Sequence, residues 1–206
     1  MRRVRKGEYG YIRSQKVRRF LITLAFLALP LAIFTVGMIL NRGDRMSIYT
    51  VIAVVGSLPA CKSIVSLIMR WMRHPMKEED YREISQRAGK LQMVYELYVT
   101  SYERSIMLFA SAICGEEVAC YAAGVQDKKD IPAMETHIQK LLRANGYKSH
   151  VKIFTDRKHY LERLDSLNAH YGELEKSANE RFQPDERYPD LSRDEMVKHN
   201  LMALAL

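Results

Sequence analysis

The stretch FLITLAFLALPLAIFTVGMIL, Phe20 to Leu40, decides the architecture of this chain, because its 21 residues include no charged side chain. At a helical rise of about 1.5 Å per residue the stretch extends roughly 31 Å, close to the hydrocarbon thickness of a bilayer. We therefore predict a transmembrane helix over residues 20–40. A cleaved signal peptide has the same general form, but this apolar run is too long and no small-residue cleavage pattern follows it.

A second apolar run, SIYTVIAVVGSLPACKSIVSLIM, covers residues 47–69 and contains one charged residue, Lys62. Its length predicts a second span, with a buried helix of a soluble domain as the alternative. Only residues 41–46 connect the two runs, and Gly43 lies in the middle of this connector. The two helices are therefore expected to form an antiparallel transmembrane hairpin over residues 20–69.

The positive charge lies mainly beside these apolar runs. Residues 1–77 contain 14 Lys and Arg against 2 Asp and Glu, a formal charge of +12, whereas residues 78–206 contain 18 against 22, a charge of −4. The net charge of +8 is therefore not that of a nucleic-acid-binding domain, and no nucleic acid partner is predicted. Since cytoplasmic flanks of membrane helices are rich in Lys and Arg, both termini are expected in the cytoplasm.

Residues 1–19 are predicted to be a basic cytoplasmic arm that touches the membrane. Aromatic residues interleave with its charges, so an RNA is the alternative ligand. We favour the bilayer, because a position beside a membrane helix already explains the charge. The side chains expected to contact anionic lipid headgroups are Arg2, Arg3, Arg5, Lys6, Arg13, Lys16, Arg18 and Arg19.

Three residues within the predicted hairpin are candidates for an intramembrane function. Pro30 lies 11 residues after Arg19 and Pro59 lies 11 residues before Arg70, so antiparallel packing is expected to bring both prolines to the same depth. Bending without further function is the alternative, because prolines are common in membrane helices. Lys62 is an intramembrane charge and so a functional-site hypothesis, with snorkelling of its side chain to the headgroups as the alternative.

Residues 70–182 are expected to form a small cytoplasmic α/β domain, a mixed sheet with flanking helices. Residues 93–100 alternate in hydropathy, and residues 105–123 predict a strand hairpin that turns at Gly115 and Glu116. The other predicted elements are a helix opening at Glu78, a helix from Pro132 to Asn145, a strand from Tyr147 to Phe154, and one long helix after Thr155.

Residues 183–206 are predicted to be a linker followed by a C-terminal amphipathic helix. Two prolines prevent a helix over residues 183–191, and Ser192 with Glu195 has the spacing of a capping box. The apolar end, LMALAL, requires a cover, which the domain, the membrane surface or a partner can supply.

The sequence predicts no catalytic residue, cofactor or metal site. It contains no G-x-x-x-x-G-K, G-x-S-x-G, C-x-x-C or H-E-x-x-H motif. Cys114 and Cys120 are expected to fill the core and, with the turn at Gly115, not to be cross-strand partners. If the domain is an enzyme, for example a hydrolase, the side chains to consider are His150, Lys152 and His159.

The predicted order of helix, three strands, helix and strand resembles the core of the restriction-endonuclease-like nucleases, at the level of elements only. Those enzymes place an acid on the second strand and an acid-x-lysine pair on the third, where they hold magnesium. The second strand here, SIMLFASAI, and the third, VACYAA, contain none of these groups. The resemblance therefore implies a fold without metal-dependent cleavage.

Five stretches carry a second resemblance: KGEYGYIR at 6–13, LPACKS at 58–63, VKIFT at 151–155, LERLDSLN at 161–168 and PDERYPDLSRDE at 184–195. On these the chain resembles a family of uncharacterised bacterial two-span membrane proteins. The resemblance implies a bacterial inner-membrane setting, and it implies neither an activity nor site residues.

The predicted function is a non-enzymatic one. A transmembrane hairpin presents a cytoplasmic α/β interaction or scaffold module at the inner leaflet, where it binds a protein partner or another copy of itself. The alternatives are a membrane-tethered enzyme and an accessory subunit of a transporter complex.

Overall fold

The computed structural model describes residues 4–40, 48–101, 105–125, 129–180, 182 and 188–205. The chain divides into two compact units, one of residues 12–74 and one that combines the residues up to Tyr11 with those from Pro75 onward. The predicted basic arm is thus divided between the units, and the predicted C-terminal segment belongs to the second. The predicted connector at 41–46 and most of the linker at 183–191 lie outside the described residues.

The first unit is a pair of long helices, α1 over Tyr11–Leu40 and α2 over Ile48–Trp71. Both are long and apolar enough to cross a membrane. α1 begins nine residues before the predicted span, because its first turns contain the charged residues of the basic arm. Most of the large apolar side chains on both helices are exposed. A helix pair of a soluble protein would bury such side chains. The exposed surface of this unit is therefore mostly apolar.

The second unit is built on a four-stranded mixed sheet, which confirms the predicted α/β architecture. Its strands follow the chain order: β1 over Gln92–Thr100, β2 over Ser105–Cys114, β3 over Glu117–Tyr121 and β4 over His150–Phe154. β1, β2 and β3 are antiparallel, and β4 pairs with β3 in parallel.

The register of the β2–β3 hairpin confirms the predicted turn. Cys114 pairs with Glu117 and Ser111 with Cys120, so the two cysteines are not cross-strand partners. β4 is shorter than predicted and begins at His150. Tyr147 belongs to the turn that ends the preceding helix, because its N–H donates to the carbonyl of Leu142 at 3.0 Å.

Helices cover both faces of the sheet. One face buries apolar side chains of α4 (Asp130–Ala144) and α7 (Arg193–Leu204). The other face buries those of α3 (Glu78–Arg87) and α5 (Arg157–Ala169). On this second face the strands contribute small side chains, Ala110, Ala112 and Ala119, which let the large residues of α5 approach closely.

Two predictions on the last third of the chain have different outcomes. The long helix expected after Thr155 is broken at His170 into α5 and α6 (Tyr171–Asn179), because His170 leaves the helical region at φ −105 and ψ 15. The capping box of Ser192 and Glu195 is confirmed at the start of α7. α7 packs on the sheet, so the domain itself covers this helix.

Side chains and chain ends close both edges of the sheet. On the β1 edge, the N–H of Tyr95 donates to the carbonyl of Gly7 at 2.8 Å, and Val99 forms a bridge with Ala205. On the β4 edge, the carboxylate of Glu135 accepts the N–H of Ile153 at 2.7 Å, and Gln139 donates to the carbonyl of Val151 at 3.3 Å. Edges closed in this way are protected from pairing with another strand.

Candidate functional site

The two long helices meet along a narrow seam of small residues. Thr23, Pro30 and Gly37 are the buried residues of the apolar part of α1, and they are spaced seven residues apart. Ala53 and Ala60, also seven apart, are buried on α2. Small residues allow the backbones of membrane helices to approach closely. The sequence contains this signal as a heptad spacing, which hydropathy alone does not reveal.

Three contacts fix the antiparallel register of the seam. The hydroxyls of Thr23 and Ser63 are hydrogen-bonded at 2.7 Å. A Cβ built on Gly56 would lie 3.9 Å from Pro30, and one built on Gly37 would overlap Tyr49. In each of the three pairs the two residue numbers have the same sum. Because level residues in antiparallel helices have a constant sum, the register is the same from one end of the seam to the other.

The two predicted proline sites lie close in depth but face different ways. Pro30 is buried in the seam opposite Gly56, whereas Pro59, three residues or about 4.5 Å along α2, is exposed. An apolar groove lies beside Pro30 and is lined by side chains that include Phe34, Ser57 and Cys61. The prolines therefore do not form one site.

Basic side chains collect where α1 starts and α2 ends. The Lys16 ammonium donates to the carbonyl of Trp71 at 2.9 Å and lies 5.8 Å from the centre of its ring. Arg70 donates to the side chain of Gln15 at 2.9 Å. Asp44 is the only acidic residue between positions 9 and 77, so the sequence around this group is strongly basic. We name as the basic end Arg13, Lys16, Arg18, Arg19, Arg70 and Arg73.

The other predicted lipid contacts lie elsewhere. Arg2 and Arg3 are outside the described residues. Arg5 and Lys6 belong to the α/β unit. The ammonium of Lys6 donates to the carbonyl of Ala205, and burial lowers the pKa of this lysine. Lys6 thus joins the two ends of the described chain within the α/β unit.

Lys62 lies on the side of α2 that faces away from the seam. It is exposed, whereas Ala60 is buried and Ser63 is hydrogen-bonded to Thr23. Successive helical residues are separated by about 100°. Lys62 therefore projects away from α1 among exposed apolar side chains.

In the α/β unit, two of the three residues considered for an enzyme lie together. His150 and Lys152 line an open cleft beside β4 with Glu117, Glu135 and Arg163. The Arg163 guanidinium is 2.9 Å from the Glu117 carboxylate, and the Lys152 ammonium is 3.7 Å from that of Glu135. The charges of this cleft are thus largely paired. Composition could not reveal the cleft, because its residues come from four elements.

His159, the third of these residues, does not line the cleft. Its ring nitrogen is 2.6 Å from the carboxylate of Asp156, at the start of α5. This hydrogen bond lowers the pKa of Asp156. Both side chains of the pair are exposed.

The structure also locates the acid nearest to the nuclease pattern. Glu117 opens β3, and the position two residues later, where the nucleases have lysine, is Ala119. The Glu117 carboxylate is bonded to Arg163. Within the described residues no group of three His, Cys, Asp or Glu is arranged to hold a metal ion.

Cys114 and Cys120 are buried thiols without the properties of nucleophiles. Burial is the main reason that each pKa is raised to about 12. The hydroxyl of Ser111 donates to the Cys120 sulfur at 3.3 Å. Because only the thiolate reacts readily, both residues act as packing groups at neutral pH.

Two buried charged residues, Arg193 and Asp194, hold the β2–β3 turn, and the sequence motifs did not single them out. Arg193 donates to the carbonyls of Gly115 and, at 2.8 Å, of Lys148. The carboxylate of Asp194 accepts the N–H of Gly115 at 3.0 and 3.2 Å. Burial raises the pKa of Asp194. These hydrogen bonds attach α7 to the β2–β3 turn. The local sequence pattern around the capping box does not predict them.

No family model, curated protein or solved structure matches this chain. The resemblances to nucleases and to two-span membrane proteins therefore stay predictions from the sequence.

Proposed function

We propose that this chain is an integral protein of a bacterial cell membrane, in which the helix pair holds the α/β unit at the inner leaflet for binding to a protein partner. The observation that carries the proposal is the basic end, six Lys and Arg residues at one end of an apolar helix pair that contains no acidic residue in its described part.

The surface of the helix pair supports insertion in a bilayer. Its apolar side chains point outward from a seam of small residues, which is the arrangement of helices surrounded by lipid. The hydroxyls of Thr23 and Ser63 satisfy each other within the seam, so they do not face lipid. A bilayer therefore provides the apolar surrounding that these exposed side chains need.

The basic end supports the orientation. A Lys or Arg close to an anionic membrane surface contributes about 1 kcal/mol of attraction. Six such residues lie where α1 begins and α2 ends, so they favour placing both of these ends on the cytoplasmic side. Trp71, exposed at the same end, has the amphipathic ring that membrane interfaces favour.

The α/β unit supports binding rather than catalysis. Its conspicuous charged cleft, beside β4, uses Glu135 and Gln139 for the edge of the sheet and pairs Glu117 with Arg163. Because the sheet edges are closed and α7 is docked, a partner would bind to helix surfaces or to this cleft. Residues 78–206 have a formal charge of −4, which favours a partner with a basic surface.

Cysteine labelling in intact cells tests the topology. In a Cys61→Ala background, Asp44→Cys is expected to react with a membrane-impermeant maleimide added outside, whereas Lys90→Cys reacts only after the membrane is opened. The two native buried thiols give the background signal. Labelling of Lys90→Cys from outside, or recovery of the chain in the supernatant without detergent, would refute the proposal.

Chemical crosslinking in intact membranes tests partner binding. A covalent product between the α/β unit and another chain, or a second copy, is expected. Recovery of the free monomer alone at every crosslinker length would count against a binding role.

The cleft beside β4 favours a second candidate, a membrane-tethered enzyme that uses His150 and Lys152. Thermal melting of the full chain in detergent, with and without divalent metals and nucleotides, tests this candidate. A ligand-dependent rise in Tm that is lost in His150→Ala would favour the enzyme, and unchanged melting across the panel would leave the binding role.

A further inference from the structure

The outer face of α2 is an apolar strip with one charge at its middle. Its members recur at helical spacing on the side away from the seam, and the five apolar ones are 57–66% exposed. The strip combines short β-branched valines with the longer side chains of Leu58 and Met69, so its surface is uneven and a neighbouring helix can pack into it. We define this outer face as Val51, Val55, Leu58, Lys62, Val65 and Met69.

Lys62 is far from both ends of α2. Arg70 is eight residues away, about 12 Å along the helix, and Ile48 is 14 residues away, about 21 Å. In the register of the seam, Arg19 of α1 is level with Leu67, which is five residues or about 7.5 Å from Lys62. The five bonds of a lysine side chain extend about 6 Å. Side chains of an α-helix also lean toward its N-terminus, which for Lys62 is the direction away from the nearer basic end. In the proposed topology the ammonium therefore lies within the hydrocarbon layer.

The chain itself supplies no countercharge at this depth. Asp44 is the only acidic residue between Glu8 and Glu78, and it belongs to the connector. In the register of the seam, the residue of α1 level with Lys62 is Leu24, which is apolar and exposed. A second copy of the chain would bring another lysine and no carboxylate. An unpaired charge in this layer is costly, and such residues usually pair with another group.

We propose that the outer face of α2 docks a transmembrane helix of another protein, which presents an Asp or Glu carboxylate to Lys62. The inference rests on the proposed function and names the chemistry of one partner. The pair removes the cost of exposing either charge to lipid, and the apolar members of the outer face pack on both sides of it.

A defined probe tests the recognition. The full chain is placed in vesicles of phosphatidylcholine and phosphatidylglycerol with a labelled synthetic transmembrane peptide that has one Glu at the depth of Lys62. Energy transfer is expected to show about tenfold tighter association than with the matching Gln peptide. Lys62→Met should remove this difference, and Lys62→Arg should keep it. Equal association of both peptides, or no effect of Lys62→Met, would overturn the proposal.

Crosslinking in the membranes of cells that make the protein tests the natural partner. Leu58→benzoylphenylalanine places a photoreactive group on the outer face, and Phe26→benzoylphenylalanine on the exposed side of α1 is the matched control. The expected product joins Leu58→benzoylphenylalanine, and not the control, to a membrane protein with an acidic residue in a span. Its yield should fall about tenfold in Lys62→Glu and return when that acid is changed to lysine.

Two other products would overturn the proposal. Crosslinks from the outer face to lipid alone would assign Lys62 to headgroup phosphates, and crosslinks to a second copy would assign the face to self-association. Labelling of Asp44→Cys in the same cells distinguishes failure of this inference from failure of the proposed function. If the chain is inserted but no partner is found, only this inference is contradicted. If the chain is not inserted, the proposed function is contradicted.

Discussion

Tyr160 lies fully buried on α5 beneath the sheet, with its ring 5.5 Å from that of Tyr121. Among the described residues its hydroxyl has no hydrogen-bond partner, and burial raises its pKa well above the ordinary value. An unpaired buried hydroxyl costs about 1–3 kcal/mol. We therefore expect Tyr160→Phe to raise the free energy of unfolding by about 1 kcal/mol, measured by urea denaturation in detergent.

Tyr171→Phe is the matched control for this substitution. The hydroxyl of Tyr171 donates to Glu175 at 3.1 Å, so its removal is expected to leave stability unchanged or to lower it by up to about 1 kcal/mol. A loss of more than about 1 kcal/mol in Tyr160→Phe would show that its hydroxyl is paired in solution.

Two neighbouring acids of α7 are expected to respond to pH in opposite directions. Burial raises the pKa of Asp194, so the folded state binds its proton more tightly, and its contribution to stability increases as the pH falls through that raised value. Hydrogen bonds from Ser192 lower the pKa of Glu195, so its contribution is present above about pH 4.5 and is lost as the pH falls.

Urea unfolding at several pH values from 7 down to about 3 checks this expectation, because the contribution of Glu195 is lost only below about pH 4.5. As the pH decreases, the native chain should gain stability relative to Asp194→Asn and lose stability relative to Glu195→Gln. A difference from Asp194→Asn that moves the other way would mean that the hydrogen bonds from Gly115, rather than burial, dominate this carboxylate.

At the scale of elements, a substitution in the β2–β3 turn measures how closely α6 packs on the sheet. Gly115 has φ +57, and a Cβ there would lie 2.5 Å from the carbonyl oxygen of Leu174. Gly124 has φ +71 and open space around it. We expect Gly115→Ala to lower the free energy of unfolding by at least about 2 kcal/mol and Gly124→Ala by about 1 kcal/mol, the cost of the left-handed backbone alone.

Chemical denaturation of both glycine variants measures this difference. Because the two substitutions share the backbone cost, the additional loss in Gly115→Ala reports the contact with α6. Equal losses of unfolding free energy in the two variants would show that α6 shifts to accommodate the added methyl group.

Elements whose geometry is set locally were predictable from the sequence. A two-residue turn at Gly115 fixes the pairing of Cys114 with Glu117, and spacing alone identified the capping box at Ser192. The break at His170 was not predictable, because the apolar stripe continues through it and the low helix propensity of Asn168, His170 and Gly172 is only a weak signal.

The candidate site shows the same division. Lys62 and the basic end are visible as charges beside apolar runs. The partnership of Thr23 with Ser63 depends on the rotation of two helices, and that of Lys6 with Ala205 joins residues 199 positions apart. The heptad spacing marks Thr23 as a seam residue but does not identify Ser63 as its partner, and no pattern in the sequence connects Lys6 with Ala205.

At the scale of the whole molecule, residues before α1 and after α7 protect the β1 edge together. Deletion of residues 2–8 removes the carbonyl that accepts the Tyr95 N–H and the ammonium that binds Ala205. We expect a loss of about 1–3 kcal/mol in unfolding free energy, faster hydrogen exchange at the Tyr95 amide, and association through the uncovered edge.

Sedimentation and hydrogen exchange of the full chain in detergent measure these effects. Deletion of residues 2 and 3 alone is the control, because it removes two charges of the arm and keeps Lys6 and Gly7. Unchanged exchange at Tyr95 after the longer deletion would show that the edge is protected without this segment.

The closure between Lys6 and Ala205 also has a consequence for biosynthesis. The ribosome must add the 199 residues that separate the two before this contact can form, which takes roughly 10–40 s at about 5–20 residues per second. Both apolar helices emerge within that interval, ahead of every strand. Until then the β1 edge of the nascent α/β unit lacks its bridge between Val99 and Ala205, and any factor that shields this part of the edge must act after the helix pair has left the ribosome.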